Sequence, residues 1–416
     1  MTSILLTGNG AAAWGARLAK VDYVPAFPIT PQTEIIETLA GWCDEGSMPA
    51  RLVMLESEHS MLTAAAAAAA TGVRVFTATS SQGLLYAMEM LYAIPGMHVP
   101  LVLVNVSRGL ASPITLESDH TDLLATRDTG FVHLVCATVQ EVLDSILLAY
   151  RLAEDERIRL PVMVNMDGFI LSFTREPITL PTAEQVASFL PPFDAHRIGF
   201  RASQPIAQAV AVLGGGPYSY FRYETHLATL QALSVYEEIE AQFESILGRR
   251  HGAIETYRAD DADMVFFMMG AFATKAKDAV DGLREAGQPV GLVRLRLLRP
   301  YPTGAIRAAL AGKRGVAVID QDLSMGKGGV LHTELASALY GTPEAPPILA
   351  SFVGGLGGRD ISTEEFYEIA QQTQRAIATG VAPAPRLLYT EAELRQLEKL
   401  RAVAGAERAD LVEAVE

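Results

Sequence analysis

Cys43 and Cys136 are the only thiols in 416 residues. Two distant cysteines can neither ligate an iron–sulfur cluster nor form a Cys-x-x-Cys zinc site, so any metal cluster the protein needs is expected on another chain. Positive charge is also scarce. Against 48 Asp and Glu stand 33 Lys and Arg, a formal net charge of −15, which repels phosphate backbones and excludes nucleic-acid binding by broad attraction. No apolar run reaches the roughly 20 residues of a membrane span. The start, Met1-Thr2-Ser3-Ile4-Leu5-Leu6, lacks a basic n-region and enters a strand-like run. Neither a span nor a signal peptide is therefore expected, and the expected compartment is the cytoplasm. A dinucleotide fingerprint is missing too. Gly8, Gly10 and Gly15 have the wrong spacing, and Asp22-Tyr23-Val24-Pro25 supplies no acidic residue closing a strand, so Gly8-Asn9-Gly10 reads as a structural turn. Gly326-Lys327-Gly328-Gly329 lacks P-loop spacing and reads as a strand-to-helix turn rather than a phosphate cradle.

What is present is apolar and periodic. Hydrophobic residues make up 50% and charged residues 19%, enough for large cores and for apolar subunit contacts. Strand-like runs at 23–27, 51–55, 74–78, 101–106, 132–137 and 162–166 alternate with helix-like segments at 32–42, 59–71, 82–94 and 140–154. Such alternation predicts an α/β domain with a mostly parallel sheet. The alanine run 64–70 predicts a helix packed closely on the sheet or a partner. Prolines 177, 181, 191 and 192 mark a long connection over 173–201, and helix follows at 224–247. A second, smaller α/β series predicts strands at 264–268, 290–296, 315–320 and 348–353, with helices at 274–286, 303–310 and 331–340. After Pro385 a charged tail helix opens with Thr390-x-x-Glu393, a capping box. The expected division is residues 1–255 for the first domain with its linker, 256–380 for the second and 381–416 for the tail.

The functional signal is positional. Four polar segments follow the carboxyl ends of predicted strands: Phe27-Pro28-Ile29-Thr30-Pro31, Glu56-Ser57-Glu58-His59-Ser60, Thr77-Ala78-Thr79-Ser80-Ser81-Gln82-Gly83 and Ser107-Arg108-Gly109. Ligands of open parallel sheets bind where such loops converge. Together the loops offer a hydroxyl, a carboxylate at the mouth of a helix, a donor-rich turn and a guanidinium whose planar fork suits a substrate carboxylate. Taken singly, Glu58 suits a helix N-terminus and Arg108 a structural ion pair; their joint placement points to a site.

Phe27-Pro28-Ile29-Thr30-Pro31-Gln32-Thr33, Glu56-Ser57-Glu58-His59 and Thr77-Ala78-Thr79-Ser80-Ser81-Gln82-Gly83, with Asp119-His120-Thr121-Asp122, Asp167-Gly168-Phe169, Arg299-Pro300-Tyr301-Pro302 and Gly355-Leu356-Gly357-Gly358-Arg359-Asp360, resemble the α subunit of the pyruvate:ferredoxin and related 2-oxoacid:ferredoxin oxidoreductases, over nearly the whole chain. The resemblance implies a thiamine-diphosphate enzyme that oxidatively decarboxylates a 2-oxoacid to an acyl-CoA. It implies a pyrimidine-binding α/β domain followed by one similar to the transketolase C-terminal domain. On the matching positions, Glu58 is the carboxylate that hydrogen-bonds the aminopyrimidine ring and helps deprotonate the thiazolium carbon. Thr30 is the substrate-contacting threonine, and Arg108 the arginine that pairs with the substrate carboxylate. Asp119, His120 and Asp122 are candidates for a loop over the pocket.

No Gly-Asp-Gly occurs in the chain, so the resemblance places the diphosphate and Mg²⁺ half of the cofactor site on a β subunit. Iron–sulfur clusters are implied on a δ-type subunit, and CoA contacts largely on a γ subunit. Ferredoxin, or NAD through a flavoprotein, is the implied acceptor, and the assembly a dimer of hetero-oligomers. Phe27 stands where many relatives carry Tyr, and Ser107-Arg108-Gly109-Leu110 replaces a more usual Asn-Arg-Ala. The substrate is therefore open between pyruvate and a bulkier or aromatic 2-oxoacid such as an arylglyoxylate, while Thr30 argues against oxalate. The rival readings are a split transketolase-like transferase and a catalytically silent scaffold subunit.

Overall fold

The computed structural model describes residues 2–193, 202–205, 207–208 and 210–413. Positions 194–201 of the expected connection and 414–416 of the expected tail helix lie outside the described residues. The chain builds two parallel-rich sheets that share one apolar core. The first has the strand order Leu297–Arg299, Val132–Val135, Val162–Asp167, Val102–Ser107, Phe76–Thr79. A parallel bridge from Val75 to Tyr23 extends it to the pair Tyr23–Ala26 and Arg51–Met54. Only Leu297–Arg299, contributed by the later part of the chain, runs antiparallel. Side chains alternate across this sheet as the pleat requires. Val102, Val104 and Val106 enter one cluster with helices Gly8–Leu18 and Val139–Ala153, whereas Leu101 and Leu103 enter the other with helix Glu58–Ala70.

The second sheet has the order Arg386–Leu387, Ile348–Val353, Gly315–Asp320, Met264–Met268, Val290–Leu295, Ile254–Tyr257, the last antiparallel. Its Val265, Phe267, Val293 and Val318 join Met61, Leu62 and Ala65 in the same cluster. Alanines at 65, 66, 69 and 70 are buried, and small side chains there let the helix lie close against the first sheet.

Several elements depart from the sequence expectation. Gly8-Asn9-Gly10 is not a turn but the first turn of helix Gly8–Leu18: Thr7 caps it by accepting from the Gly10 amide at 2.9 Å, and Leu171 and Ser172 carbonyls accept the Gly8 and Asn9 amides. Tertiary caps outweigh low helix propensity here. The connection expected over 173–201 contains strand Arg175–Leu180, paired antiparallel with Thr2–Thr7, and helix Ala183–Phe189, closed by a Thr182–Gln185 capping box. Pro177 is tolerated because that ribbon has a free edge. Segment 82–94 divides into Ser81–Tyr86 and Met88–Met97. Helix Thr363–Thr379 and strands Ile254–Tyr257 and Leu297–Arg299 are further elements of the fold. The Gly326–Gly329 segment is a turn, and Asp320 accepts the Leu331 and His332 amides of the next helix, so the protein's own carboxylate fills that helix mouth.

Arg294 joins the two domains. Only 1% exposed, it reaches from the second sheet to Glu141 of the first domain at 2.6 and 3.0 Å and to Glu255 at 2.7 Å. Burial alone would raise the Glu141 pKa, but Arg296 and Arg294 outweigh it and hold the carboxyl well below the usual range. Glu141→Gln removes one of the two carboxylates that Arg294 meets and should cost about 3–5 kcal/mol in thermal or denaturant unfolding at pH 7. A depressed pKa gives stability that is present above the unfolded value and lost as pH falls toward the folded one. The gap between wild type and variant should therefore stay constant down to about pH 4.3 and shrink only below it.

Candidate active site

Four loops converge at the carboxyl edge of the first sheet. Glu58 opens its helix behind the N-cap Ser57, whose hydroxyl accepts from the Ser60 amide at 3.2 Å. The helix mouth suits a carboxylate electrostatically. Glu58 is only 5% exposed, yet no described residue donates a hydrogen bond or offers a cation to its carboxylate. It lies directly against Gly83, where any side-chain carbon would overlap Glu58 Oε1 and crowd Thr79 Oγ1. Glycine there is a requirement of close approach.

Arg108, 6% exposed, follows strand Val102–Ser107. Its Nη1 donates to the Thr30 carbonyl at 2.7 Å and its Nη2 to Gln82 Oε1 at 2.5 Å, while Nε is buried with no partner. No described carboxylate ion-pairs with this guanidinium. Burial lowers its pKa, and the nearby Asp122 carboxylate works the other way. Thr30 exposes its side chain on a loop held from below, where Asn9 Nδ2 donates to the Pro31 carbonyl at 2.9 Å and Gln32 Nε2 to the Phe27 carbonyl at 2.8 Å. The structure thus brings Thr30 and Arg108 into contact, and it ties both to Glu58 through the Gln82-Gly83 turn.

Asp122 and His120 are fully buried, and Asp119 nearly so. Asp122 accepts from the Ser81, Arg108 and Leu123 amides at 3.0, 3.2 and 2.6 Å, and from Ser107 Oγ and Asn105 Nδ2 at 3.0 and 3.2 Å. Burial still prevails over these donors and pushes its pKa up to about 6. His120 Nε2 bonds Asp167 at 2.7 Å, and its amide donates to the Gln321 carbonyl of the second domain at 2.8 Å. Burial disfavours the imidazolium, but Asp167 more than compensates and raises the His120 pKa. Any side chain on Gly270 would crowd this pair. Asp119 Oδ1 accepts the Thr121 amide at 2.9 Å. Segment 119–122 therefore sits as a buried strut beneath Arg108, between the two domains.

Sequence reasoning included Gln82 and Asp167 in motifs without assigning them roles. Gln82 holds Arg108, and Asp167 holds His120 and accepts the Ala271 amide at 2.6 Å. The hydrogen-bonding capacity of the donor-rich turn was the available signal. Buried polar atoms without partners gather at the same edge: Thr79 Oγ1, Ser80 Oγ, Gln82 Nε2 and Arg108 Nε. Among the described residues no group of three or more His, Cys, Asp or Glu is placed to hold a metal ion, and no helix is long and apolar enough to cross a membrane.

Comparison with known proteins agrees with this layout. The family model "Pyruvate flavodoxin/ferredoxin oxidoreductase, thiamine diP-bdg" matches residues 14–241, and "Pyruvate:ferredoxin oxidoreductase core domain II" matches 262–366. Pyruvate synthase subunit PorA of Methanothermobacter thermautotrophicus is 38% identical over 89% of this chain and 95% of its own. Ketoisovalerate oxidoreductase subunit VorA of Pyrococcus horikoshii is 39% identical over 90% of this chain and 95% of its own. The structure of 2-oxoglutarate:ferredoxin oxidoreductase from Magnetococcus marinus, with 2-oxoglutarate, coenzyme A and succinyl-CoA bound, superposes with a TM-score of 0.66 at 20% identity. That match covers 90% of this chain and 65% of the other, so this chain spans about two thirds of its length. An inactive β4 tetramer of a split-gene transketolase superposes with a TM-score of 0.54 at 11% identity, over 89% of this chain and 98% of its own. Both structures bear on the fold alone, an α/β pair of the thiamine-diphosphate and transketolase type. On the strength of the family matches and the two subunit relatives, the chain belongs to the pyruvate flavodoxin/ferredoxin oxidoreductase family and carries its thiamine-diphosphate-binding domain and core domain II.

Proposed function

We propose that this chain is the α subunit of a 2-oxoacid:acceptor oxidoreductase. In the overall reaction a 2-oxoacid and CoA yield acyl-CoA, CO₂, a proton and two electrons, and the electrons pass to iron–sulfur clusters on partner chains. The observation that carries this reading is Glu58, a buried carboxylate that no described residue hydrogen-bonds, set across Gln82 and Gly83 from an arginine that ion-pairs with no described carboxylate. A desolvated carboxylate left bare costs the fold free energy unless something completes it.

The residues present fit one end of thiamine diphosphate. An unpaired carboxylate beside unpaired hydroxyl and amide donors, on Thr79, Ser80 and Gln82, suits the polar edge of an aminopyrimidine ring. Thiamine diphosphate supplies, when bound, an electron sink for the carbon that loses CO₂. Glu58 holds the proton shared with the ring nitrogen, in a water-poor helix mouth where such a bond is strong. Arg108 receives the substrate carboxylate, which replaces the missing counter-charge, and Thr30 orients the substrate from the facing loop. Gln82 fixes the Arg108 fork so that Nε and the outer edge stay free. His120, Asp119 and Asp122 hold the loop that Arg108 opens.

The diphosphate and Mg²⁺ belong to a β subunit with Gly-Asp-Gly, and the clusters to a δ-type subunit. CoA is met chiefly by a γ subunit, and the acceptor is ferredoxin or a flavoprotein linked to NAD. The active species is a dimer of such hetero-oligomers in the cytoplasm, and the chain divides at 255 and 380. The names of the relatives favour a small or branched aliphatic 2-oxoacid, and Phe27 leaves room for an aromatic one. CoA-dependent viologen reduction by the complex purified from its native cells, assayed with a panel of 2-oxoacids, tests the assignment. A complex without thiamine diphosphate and iron would refute it.

Three substitutions probe the site in that complex. Glu58→Ala should lower turnover by several orders of magnitude while the subunits still copurify. Arg108→Ala should act chiefly on KM for the 2-oxoacid, with a loss of about 2–5 kcal/mol in kcat/KM from unpairing a buried charge. Gly83→Ala, which pushes into Glu58, should reduce thiamine diphosphate retained on gel filtration and leave the unfolding midpoint within a few degrees of wild type. Near-normal turnover in the Glu58 variant, or unchanged kinetics in the Arg108 variant, would remove that residue from the site.

A further inference from the structure

At the seam between the two domains, away from the Glu58 loops, a cavity of about 420 Å³ is lined by Glu141, Arg250, His251, Glu255, Arg294 and Arg296 together with short backbone stretches. Its charges do not cancel. Arg294 is saturated, with Glu141 at one end and Glu255 on Nε. Glu255 is also bridged by Lys277. Glu141 also accepts the Ala137 amide at 2.8 Å, which leaves its oxygens engaged. His251 Nε2 is taken by Asp144 at 2.8 Å.

Arg296 is the residue left over. It is 2% exposed, its Nη2 reaches Ser145 Oγ at 3.3 Å, and Nε stands 3.9 Å from a Glu141 oxygen already shared with Arg294. Its Nε and Nη1 have no hydrogen-bond partner. Arg250 stands at the rim, with its side chain 73% exposed and Nε 3.6 Å from Glu240. With Glu240 and Lys277 counted beside the lining, four cations stand against three carboxylates, and a buried guanidinium with idle donors demands an acceptor.

We propose that this cavity is a binding site for a small oxyanion, an inorganic phosphate or the phosphoryl group of a small metabolite. Arg296 receives it at depth and Arg250 closes on it from the rim. The volume exceeds that of a bare phosphate and admits a short organic tail. Because Glu141 belongs to the first domain and Arg294 and Arg296 to the second sheet, an anion here braces the joint between the domains. Ligand that binds only the folded chain raises its unfolding midpoint in a saturable way.

The test uses the full chain in chloride buffer, titrated with inorganic phosphate at constant ionic strength while thermal unfolding is followed. Wild type should show a saturable rise in midpoint. Arg250→Ala should move the half-saturating phosphate concentration up by about tenfold or more and leave the midpoint in chloride unchanged. Arg296→Met should abolish the phosphate dependence. Its midpoint should fall below wild type in saturating phosphate, because the stabilisation by ligand is gone. If Arg296→Met does not fold, the Arg250 variant decides alone. A second titration with glycerol phosphate separates the sources: tighter binding than phosphate marks a metabolite site, and equal or weaker binding a free-phosphate site. Absence of a saturable shift in wild type, or the same shift in the variants, overturns the proposal.

Discussion

The carboxylate of Asp122 organises the catalytic edge. It draws the amides of Ser81, Arg108 and Leu123 and the side chains of Ser107 and Asn105 onto two oxygens. Ser81 is held in the left-handed region at φ 50°, a conformation that costs a non-glycine residue of order 1–2 kcal/mol. That distortion aims the following Gln82 at Arg108 and brings Gly83 against Glu58. One buried anion thereby sets both ends of the site. The arrangement is expensive. A carboxyl pKa near 6 in the folded chain, against 3.8 for the free group, means that ionised Asp122 weakens the fold on the order of 3 kcal/mol above pH 6. The penalty fades as pH falls from about 6 toward 4. Stability is given up where positioning requires it.

Elsewhere among the described residues, Arg296 apart, buried charges such as these find partners. Arg74 meets Glu154 at 2.6 and 2.8 Å, and Asp144 meets both Arg249 and His251. Against that background the bare groups around Glu58 form a pattern. Two hydroxyls, an amide nitrogen and a guanidinium nitrogen are buried without partners on one contiguous edge, beside the 5%-exposed Glu58 carboxylate that no described residue hydrogen-bonds. Dry, unpaired polar groups are what one half of a shared site looks like before the other half arrives, because the same low dielectric that penalises them makes each completed bond strong. This physical picture and the missing Gly-Asp-Gly are independent observations with one explanation.

Most of this could be read in the chain, and the misses share a cause. Strands Met264–Met268, Gly315–Asp320 and Ile348–Val353 carry their signal locally, in branched residues bounded by turns. The meeting of the loops that carry Thr30, Glu58 and Arg108 was legible because each closely follows the end of a strand. The helix at Gly8–Leu18 was not, since its first turn is stabilised by carbonyls of Leu171 and Ser172, more than 150 residues away. Helix Thr363–Thr379 buries a narrow stripe of Phe366, Ile369, Ala370 and Ala376 that is faint in sequence, although its Ser362–Glu365 capping box was there to be seen. Gln82 and Asp167 escaped for the same reason as the Gly8 helix: their roles exist only once separate loops meet.

The second domain supplies none of the proposed site residues, yet the site depends on it. The loop that Arg108 opens closes on itself through the Gly109 amide and the Glu117 carbonyl, and Ser118 accepts the amide of Gly358 at 2.6 Å. Gly358 belongs to the glycine-rich segment that ends in Arg359, and Arg359 is clamped by Glu365 and, from the tail helix, by Glu393, both at 2.7 Å. Strand Leu297–Arg299 pairs into the first sheet beside Val132–Val135, and the buried His120–Asp167 pair leans on Gly270 and Gln321. Segment 108–122 is thus held by the second domain at Ser118 and at His120, while the strand pairing and the Arg359 clamp fix the elements beside it. A guanidinium proposed to receive a carboxylate must be held within a fraction of an ångström, and loops alone do not give that precision. The second domain is therefore a positioning device for Arg108, which explains why the glycine-rich and Arg-Pro-Tyr-Pro motifs accompany a site they never touch.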